Sequence, residues 1–96
     1  MTVSFHELAE RELNDAAQYY ESESAGLGAA FLTEIERSCG LIVAHPQSAP
    51  MVTDSIRRKL VRRFPYALLY SMQRETIRIL AVMNLKRRPG YWVGRA

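Results

Sequence analysis

Apolar residues recur at helical spacing through the first half of this chain and at alternating spacing through the second, with the change near Pro50. Val3, Ser4 and Phe5 alternate and predict a short opening strand. Ser4 and Glu7 have the spacing of a capping box, so a helix is expected to start between them. Leu8 or Ala9, Leu13, Ala16 or Ala17 and Tyr20 then form an apolar stripe, with acidic side chains mostly between them. The stretch Glu21-Ser22-Glu23-Ser24-Ala25-Gly26 reads as a break. A second helix carries Leu27, Phe31, Ile35, Ser38 and Ile42 at steps of three and four, and His45-Pro46 ends it because proline cannot continue the ladder. Two antiparallel helices joined by a short loop follow.

Beyond Pro50, Ile56, Leu60 and Phe64 are spaced among Arg57, Arg58, Lys59, Arg62 and Arg63. Read as one strand, this block sends Arg58 and Arg62 to one face and Arg57, Lys59 and Arg63 to the other. Tyr66, Leu68, Tyr70 and Met72 line one face of the next segment, with Ala67, Leu69 and Ser71 on the other. Thr76 to Val82 is β-branched or apolar nearly throughout, as a strand buried on both faces should be. Gln73-Arg74-Glu75 is the turn between them. The predicted architecture is α+β: an N-terminal strand and a helical hairpin packed on a small antiparallel sheet, forming a single domain over residues 1–96.

Composition narrows the class. With 96 residues and 48% hydrophobic content the chain folds as one small domain rather than remaining disordered. One cysteine, Cys39, excludes an internal disulfide, and its helical apolar setting suits a small buried thiol. No run of about eighteen apolar residues offers a membrane span. The start lacks the basic and apolar regions of a signal peptide, which makes a cytoplasmic protein the expectation.

Charge changes the picture more. Residues 1–48 hold two basic and eight acidic side chains (2 − 8 = −6), and residues 49–96 hold eleven basic and two acidic (11 − 2 = +9), giving the overall +3. The modest total hides a strongly cationic half, which points to a polyanionic partner, nucleic acid or an acidic protein surface.

Two blocks carry that charge. Five of the eleven residues from Ile56 to Tyr66 are basic, which fits either an edge strand protected by charge or a row of groups that bind phosphate or carboxylate. The second block, Asn84-Leu85-Lys86-Arg87-Arg88-Pro89-Gly90-Tyr91-Trp92, sets three cations beside a turn and two aromatics. Cations next to aromatic faces suit single-stranded RNA, whereas Tyr91 and Trp92 folding back would instead close the core. His6 and His45 are far apart, with no metal-ligand spacing around them. No nucleophile elbow, phosphate loop or paired carboxylates occur, and no cofactor is implied.

In their order, these segments resemble the RelE/ParE superfamily, the toxins of bacterial type II toxin–antitoxin modules of the plasmid-stabilisation type. The resemblance rests on Val3 and Phe5; Ala9, Leu13 and Ala16; Tyr19-Tyr20-Glu21; and Gly26-Leu27-Gly28 before Phe31. It continues through His45-Pro46, Ile56-Arg57-Arg58, Arg63-Phe64-Pro65-Tyr66, Leu69-Tyr70, Ile79-Leu80-Ala81-Val82 and Arg88-Pro89-Gly90-Tyr91-Trp92. It implies a β-α-α-β-β-β core with a short C-terminal element, and a cognate antitoxin that wraps the toxin in a hetero-oligomer. RelE-like members cut messenger RNA on the ribosome, while ParE-like members inhibit DNA gyrase.

Carried over by residue, Tyr91 falls where RelE-like nucleases place a C-terminal tyrosine, and Arg58 falls on a basic position of the second strand. Ala67 and Leu85 stand where those nucleases have arginines, and Asn84 stands where many have histidine. Asparagine cannot act as a general acid or base. The resemblance therefore favours a ParE-like toxin acting on gyrase by binding, with Arg57, Lys59, Arg63, Lys86, Arg87, Arg88 and Trp92 as contacts to target or antitoxin. The rival is a ribosome-dependent endoribonuclease using Arg58, Arg62 and Tyr91. A third reading is an inactive homologue that acts through its antitoxin complex and autoregulation.

Overall fold

The computed structural model describes residues 1–96. The elements run β1 (Thr2–Phe5), α1 (Glu7–Glu23), α2 (Leu27–Ala44), β2 (Ile56–Leu60), β3 (Tyr66–Gln73) and β4 (Thr76–Asn84). The four strands form one sheet in the order β1-β4-β3-β2. Strands β2, β3 and β4 are antiparallel neighbours, as the alternating pattern predicts, but β1 lies parallel to β4, so the sheet is mixed. The helical hairpin and the 45–55 stretch together return the chain so that β2 runs in the same direction as β1.

Helix α1 begins two residues later than the capping-box reading places it. The N-cap is His6, whose Nδ1 accepts the Leu8 N–H at 3.0 Å. Ser4 stays in β1, where its hydroxyl accepts from Arg78 at 3.2 Å. Helix α2 has no capping side chain of its own, because its N-cap is Gly26 at φ 87°. Glu21 of α1 supplies the missing acceptor: its carboxylate receives the Gly26 N–H at 3.0 Å and the Gly28 N–H at 3.0 Å. The hairpin turn and the start of α2 are thus secured by one side chain. Helix α2 ends at Ala44, with His45 as C-cap before Pro46, as the sequence predicts.

The helices cover one face of the sheet. Ala9, Ala16, Phe31, Ile35 and Ile42 pack against Tyr66, Leu68, Tyr70, Ile77, Ile79 and Val82. Tyr20, Phe31, Phe64 and Tyr66 stack at one end, with ring centroids 4.9 to 6.2 Å apart. The opposite face is closed by the C-terminal segment, where Trp92 packs on Ala67, Leu69, Ala81 and Met83. Strand β4 is buried on both sides, and a β-bulge lets it serve both. Pairing passes from Tyr70↔Ile79 to Leu69↔Ala81, leaving Leu80 over and shifting the alternation by one.

The block from Ile56 to Phe64 is not one strand. Strand β2 stops at Leu60, and the chain turns through Arg63, whose φ is 75°. Phe64 is buried against the helices, whereas Leu60 is 54% exposed, so they share no stripe. Register with β3 puts Arg57 and Lys59 on the helix side of the sheet and Arg58 on the other. Arg62 and Arg63 belong to the turn rather than to either face. No helix is long and apolar enough to cross a membrane.

Candidate functional site

The ladder that ends β3 and β4 brings the two basic blocks together. Tyr66 pairs with Asn84, and the Leu85 N–H donates to Pro65 O at 2.9 Å. The turn holding Arg62 and Arg63 and the turn holding Lys86, Arg87 and Arg88 therefore leave the same end of the sheet. All five side chains are exposed. Asn84 fixes the second turn: its Oδ1 accepts the Lys86 N–H and its carbonyl accepts the Arg87 N–H, both at 2.9 Å. Asn84 thus has a turn-forming part that its side-chain chemistry suits.

Beside this cationic end lies a cleft of about 370 Å³. Its walls come from α1 (Glu12, Asp15, Ala16 and Tyr19), from Tyr66, Val82 and Asn84 of the sheet, and from the C-terminal segment (Lys86, Arg87 and Tyr91). The Tyr91 ring lies close to two guanidinium groups, with Arg87 Cζ 4.2 Å and Arg95 Cζ 5.1 Å from its centroid. Its hydroxyl is enclosed and meets no partner with hydrogen-bond geometry. Burial, and then the nearby Glu12 carboxylate, hold the Tyr91 pKa above the ordinary tyrosine range, against the weaker pull of Arg95 and Arg87. Tyr91 is a neutral phenol at physiological pH.

The remaining predicted residues are dispersed. Arg58 is exposed on the sheet side away from the helices, beside Ser48, Ala49 and Pro50. Neither Arg58 nor Arg62 lines the Tyr91 cleft. Arg57 points into the 45–55 stretch and donates to Gln47 O at 2.9 Å and Ala49 O at 2.7 Å, holding that stretch to the sheet. Lys59 is half-buried. Trp92 is only 6% exposed and closes the second core, so its ring is not a free stacking surface.

Ala67 is fully buried between strands and Leu85 is exposed next to the basic turn. Cys39 is half-buried on α2, and burial pushes its thiol up to about 11.

The sequence reading missed Glu12 and Arg95, which are 83 residues apart and form a two-point ion pair. Spacing held a signal for Glu12, which falls three residues after Ala9 and four before Ala16 on the buried stripe. No local pattern marks Arg95.

A family model described as the ParE toxin of the type II toxin–antitoxin system parDE matches residues 3–89. No curated protein matches the chain. Among solved structures, a chain of the chromosomal ParDE TA system from P. aeruginosa superposes with a TM-score of 0.62 at 14% identity, over 88% of this chain and 95% of that one. The two share the architecture of two helices on a four-stranded mixed sheet.

Proposed function

This chain belongs to the ParE toxin family of type II toxin–antitoxin systems, and we propose that it arrests growth by binding DNA gyrase through the cationic end of its sheet. Membership of a toxin–antitoxin system implies a cognate antitoxin as partner, and we take that antitoxin to neutralise the toxin by covering this end. The observation that carries the reading is the meeting of Arg62 and Arg63 with Lys86, Arg87 and Arg88 across the Pro65–Leu85 hydrogen bond. Five exposed cations on two adjoining turns favour an acidic protein surface and speed the encounter with it.

RNA cleavage draws less support from the same geometry. A nuclease needs a proton-transfer group and charge-stabilising donors focused on one phosphate. Here Tyr91 has an enclosed hydroxyl with a raised pKa, and the cleft that holds it includes Glu12 and Asp15 but neither Arg58 nor Arg62. Glu12 is committed to Arg95, Asp15 offsets part of the charge of Lys86 and Arg87 in the same cleft, and Arg58 and Arg62 are placed elsewhere.

The test is a gyrase supercoiling assay with purified toxin, run beside transcript mapping after induced expression. Inhibition of supercoiling with intact transcripts is the expected result. Reversing Lys86 and Arg88 to glutamate should abolish inhibition while thermal unfolding stays nearly unchanged, since both are exposed and neither contacts Tyr91 as Arg87 does. Cleaved transcripts from the wild type, together with their loss in Tyr91→Phe, would overturn the reading in favour of the nuclease.

A further inference from the structure

The C-terminal segment, residues 85–96, has little apolar attachment of its own. Trp92 is buried, but Leu85 is 44% and Val93 70% exposed, and Gly90 and Gly94 take positive φ. Beyond the packing of Trp92 and Tyr91 it is held by polar contacts, and the most sheltered of these comes from the opposite half of the molecule. Glu12, in the middle of α1, meets Arg95 through both oxygens, Oε1 to Nη1 at 3.0 Å and Oε2 to Nη2 at 3.1 Å. The same Oε1 accepts the Val82 N–H at 3.0 Å, so Glu12 ties helix, sheet and C-terminal segment at one point.

Arg95 also donates to Leu80 O at 3.0 Å. That residue is the one left without a partner in the β3–β4 register by the bulge. A third tie joins the terminus to β4, where Arg78 Nε donates to Ala96 O at 3.4 Å.

The pair is well sheltered, with only 12% of the Arg95 side chain and 17% of the Glu12 side chain exposed. A two-point arginine–carboxylate fork fixes orientation as well as distance. Tyr91 is tied into this arrangement through the guanidinium groups of both Arg95 and Arg87, which lie near its ring. Arg87 belongs to the cationic turn, so the chain of contacts runs Glu12, Arg95, Tyr91, Arg87. At its other end the turn is pinned by Asn84.

We propose that Glu12 is a positioning residue for the target-binding end: acting through Arg95 and Tyr91, it holds Lys86, Arg87 and Arg88 in a fixed array. The inference rests on the reading that this turn meets the target. A preorganised segment loses less conformational freedom on binding than a free one, so the array binds more tightly clamped than loose. A residue of the acidic half thus sets the geometry of the basic half.

Trp92 is the one tryptophan of the chain and lies on the clamped segment, which makes it a built-in reporter. The experiment compares wild type, Glu12→Gln and Arg95→Lys by acrylamide quenching of Trp92 fluorescence, by growth arrest on induction, and by gyrase inhibition. Glu12→Gln keeps an acceptor for Val82 but loses the charge, and Arg95→Lys keeps the charge but loses the fork. Both should keep the far-UV spectrum of the folded domain. In both, Trp92 should quench about twice as readily, as a locally opened segment does, and toxicity should fall about tenfold, as for a binding surface that has lost its preorganisation.

Unchanged quenching in both variants overturns the proposal, and so does raised quenching with undiminished growth arrest. Should Glu12→Gln fail to fold, Arg95→Lys near the terminus decides alone. If growth arrest follows Trp92 exposure while the wild type leaves gyrase active, the positioning role stands and only the identity of the target falls.

Discussion

Two glycines of α2 make a sharp test of how the helical hairpin is held. At Gly28 an added Cβ would lie 2.5 Å from the Ala17 carbonyl oxygen and 3.0 Å from both Cβ and Oε1 of Glu21. Ordinary contact begins near 3.4 Å, so the helices would have to part by up to 0.9 Å (3.4 − 2.5). The obstacle is backbone, which cannot swing aside, and movement of Glu21 would loosen its bonds to the Gly26 and Gly28 N–H groups. Overpacking of this kind costs about 1–3 kcal/mol, and weakening of the Glu21 contacts adds about 1 kcal/mol. Against this, alanine is the better helix former by about 1 kcal/mol.

Gly28→Ala should therefore destabilise by about 1–3 kcal/mol net, lowering Tm by roughly 5–15 °C in a domain of this size. Gly40 lies on the same helix, with nothing within 4 Å of its added Cβ. There only the propensity term acts, so Gly40→Ala should gain up to about 1 kcal/mol and raise Tm by roughly 4–8 °C. Thermal unfolding followed by far-UV circular dichroism measures both. Shifts of the same sign in the two variants would refute the claim that Gly28 is required by close approach of the helices.

Three further outcomes follow from the packing and the charges. Phe64→Ala should cost about 3–5 kcal/mol as a buried ring in an aromatic cluster, while Leu60→Ala stays within about 0.5 kcal/mol; equal losses in denaturant titrations would restore the single-strand reading of 56–64. Arg57→Ala should destabilise by about 1.5–3 kcal/mol through loss of its bonds to Gln47 and Ala49, whereas Arg58→Ala leaves stability unchanged; the reverse order in the same titration would be decisive against it. Burial raises the Cys39 pKa from 9.0 to about 11, so the folded state favours the neutral thiol. That contribution is complete below pH 9 and is lost as pH rises toward 11, so the pH dependence of stability over this interval should flatten in Cys39→Ala; identical profiles for the two proteins would exclude it. Tyr20, Tyr70 and Tyr91 are also raised by burial and act in the same direction at higher pH, which is why the comparison is made against the variant.

Period and termination were legible in the sequence wherever one face of an element is buried. Both helices, the faces of β3 and the two-sided burial of β4 follow from spacing alone. What spacing could not reveal depends on partners remote in the chain. The parallel pairing of β1 with β4 joins residues more than seventy positions apart, and the choice of His6 over Ser4 as N-cap depends on Arg78 drawing Ser4 into the sheet. The end of β2 was obscured because Phe64 continues the spacing of Ile56 and Leu60, although the chain has already turned at Arg63. The site shows the same division. The basic blocks are plain in the sequence, but their meeting at one end depends on the Tyr66–Asn84 register and the Pro65–Leu85 bond.

The split of charge along the chain has a different meaning once each cation is placed. Of the eleven basic residues after position 48, Arg57, Arg78 and Arg95 point inward, to Gln47 and Ala49, to Ser4, Phe5 and Ala96, and to Glu12 and Leu80. They act as connectors that fasten the 45–55 stretch, β1 and the C-terminal segment to the sheet. The two halves are thus joined by charge as well as opposed in it, since Glu12 of the acidic half is the partner of Arg95. Removing those three leaves eight cations, of which Arg62, Arg63, Lys86, Arg87 and Arg88 stand at one end and Arg74 at the other, in the β3–β4 turn. Net charge alone would predict that neutralising any basic residue weakens partner binding about equally. Their placement predicts instead that Arg57 and Arg78 act on folding, Arg95 on the hold of the C-terminal segment and through it on binding, and the clustered five on binding directly, because removing an inward arginine leaves its carbonyl or carboxylate partner unpaired whereas removing an exposed cation loses only its field.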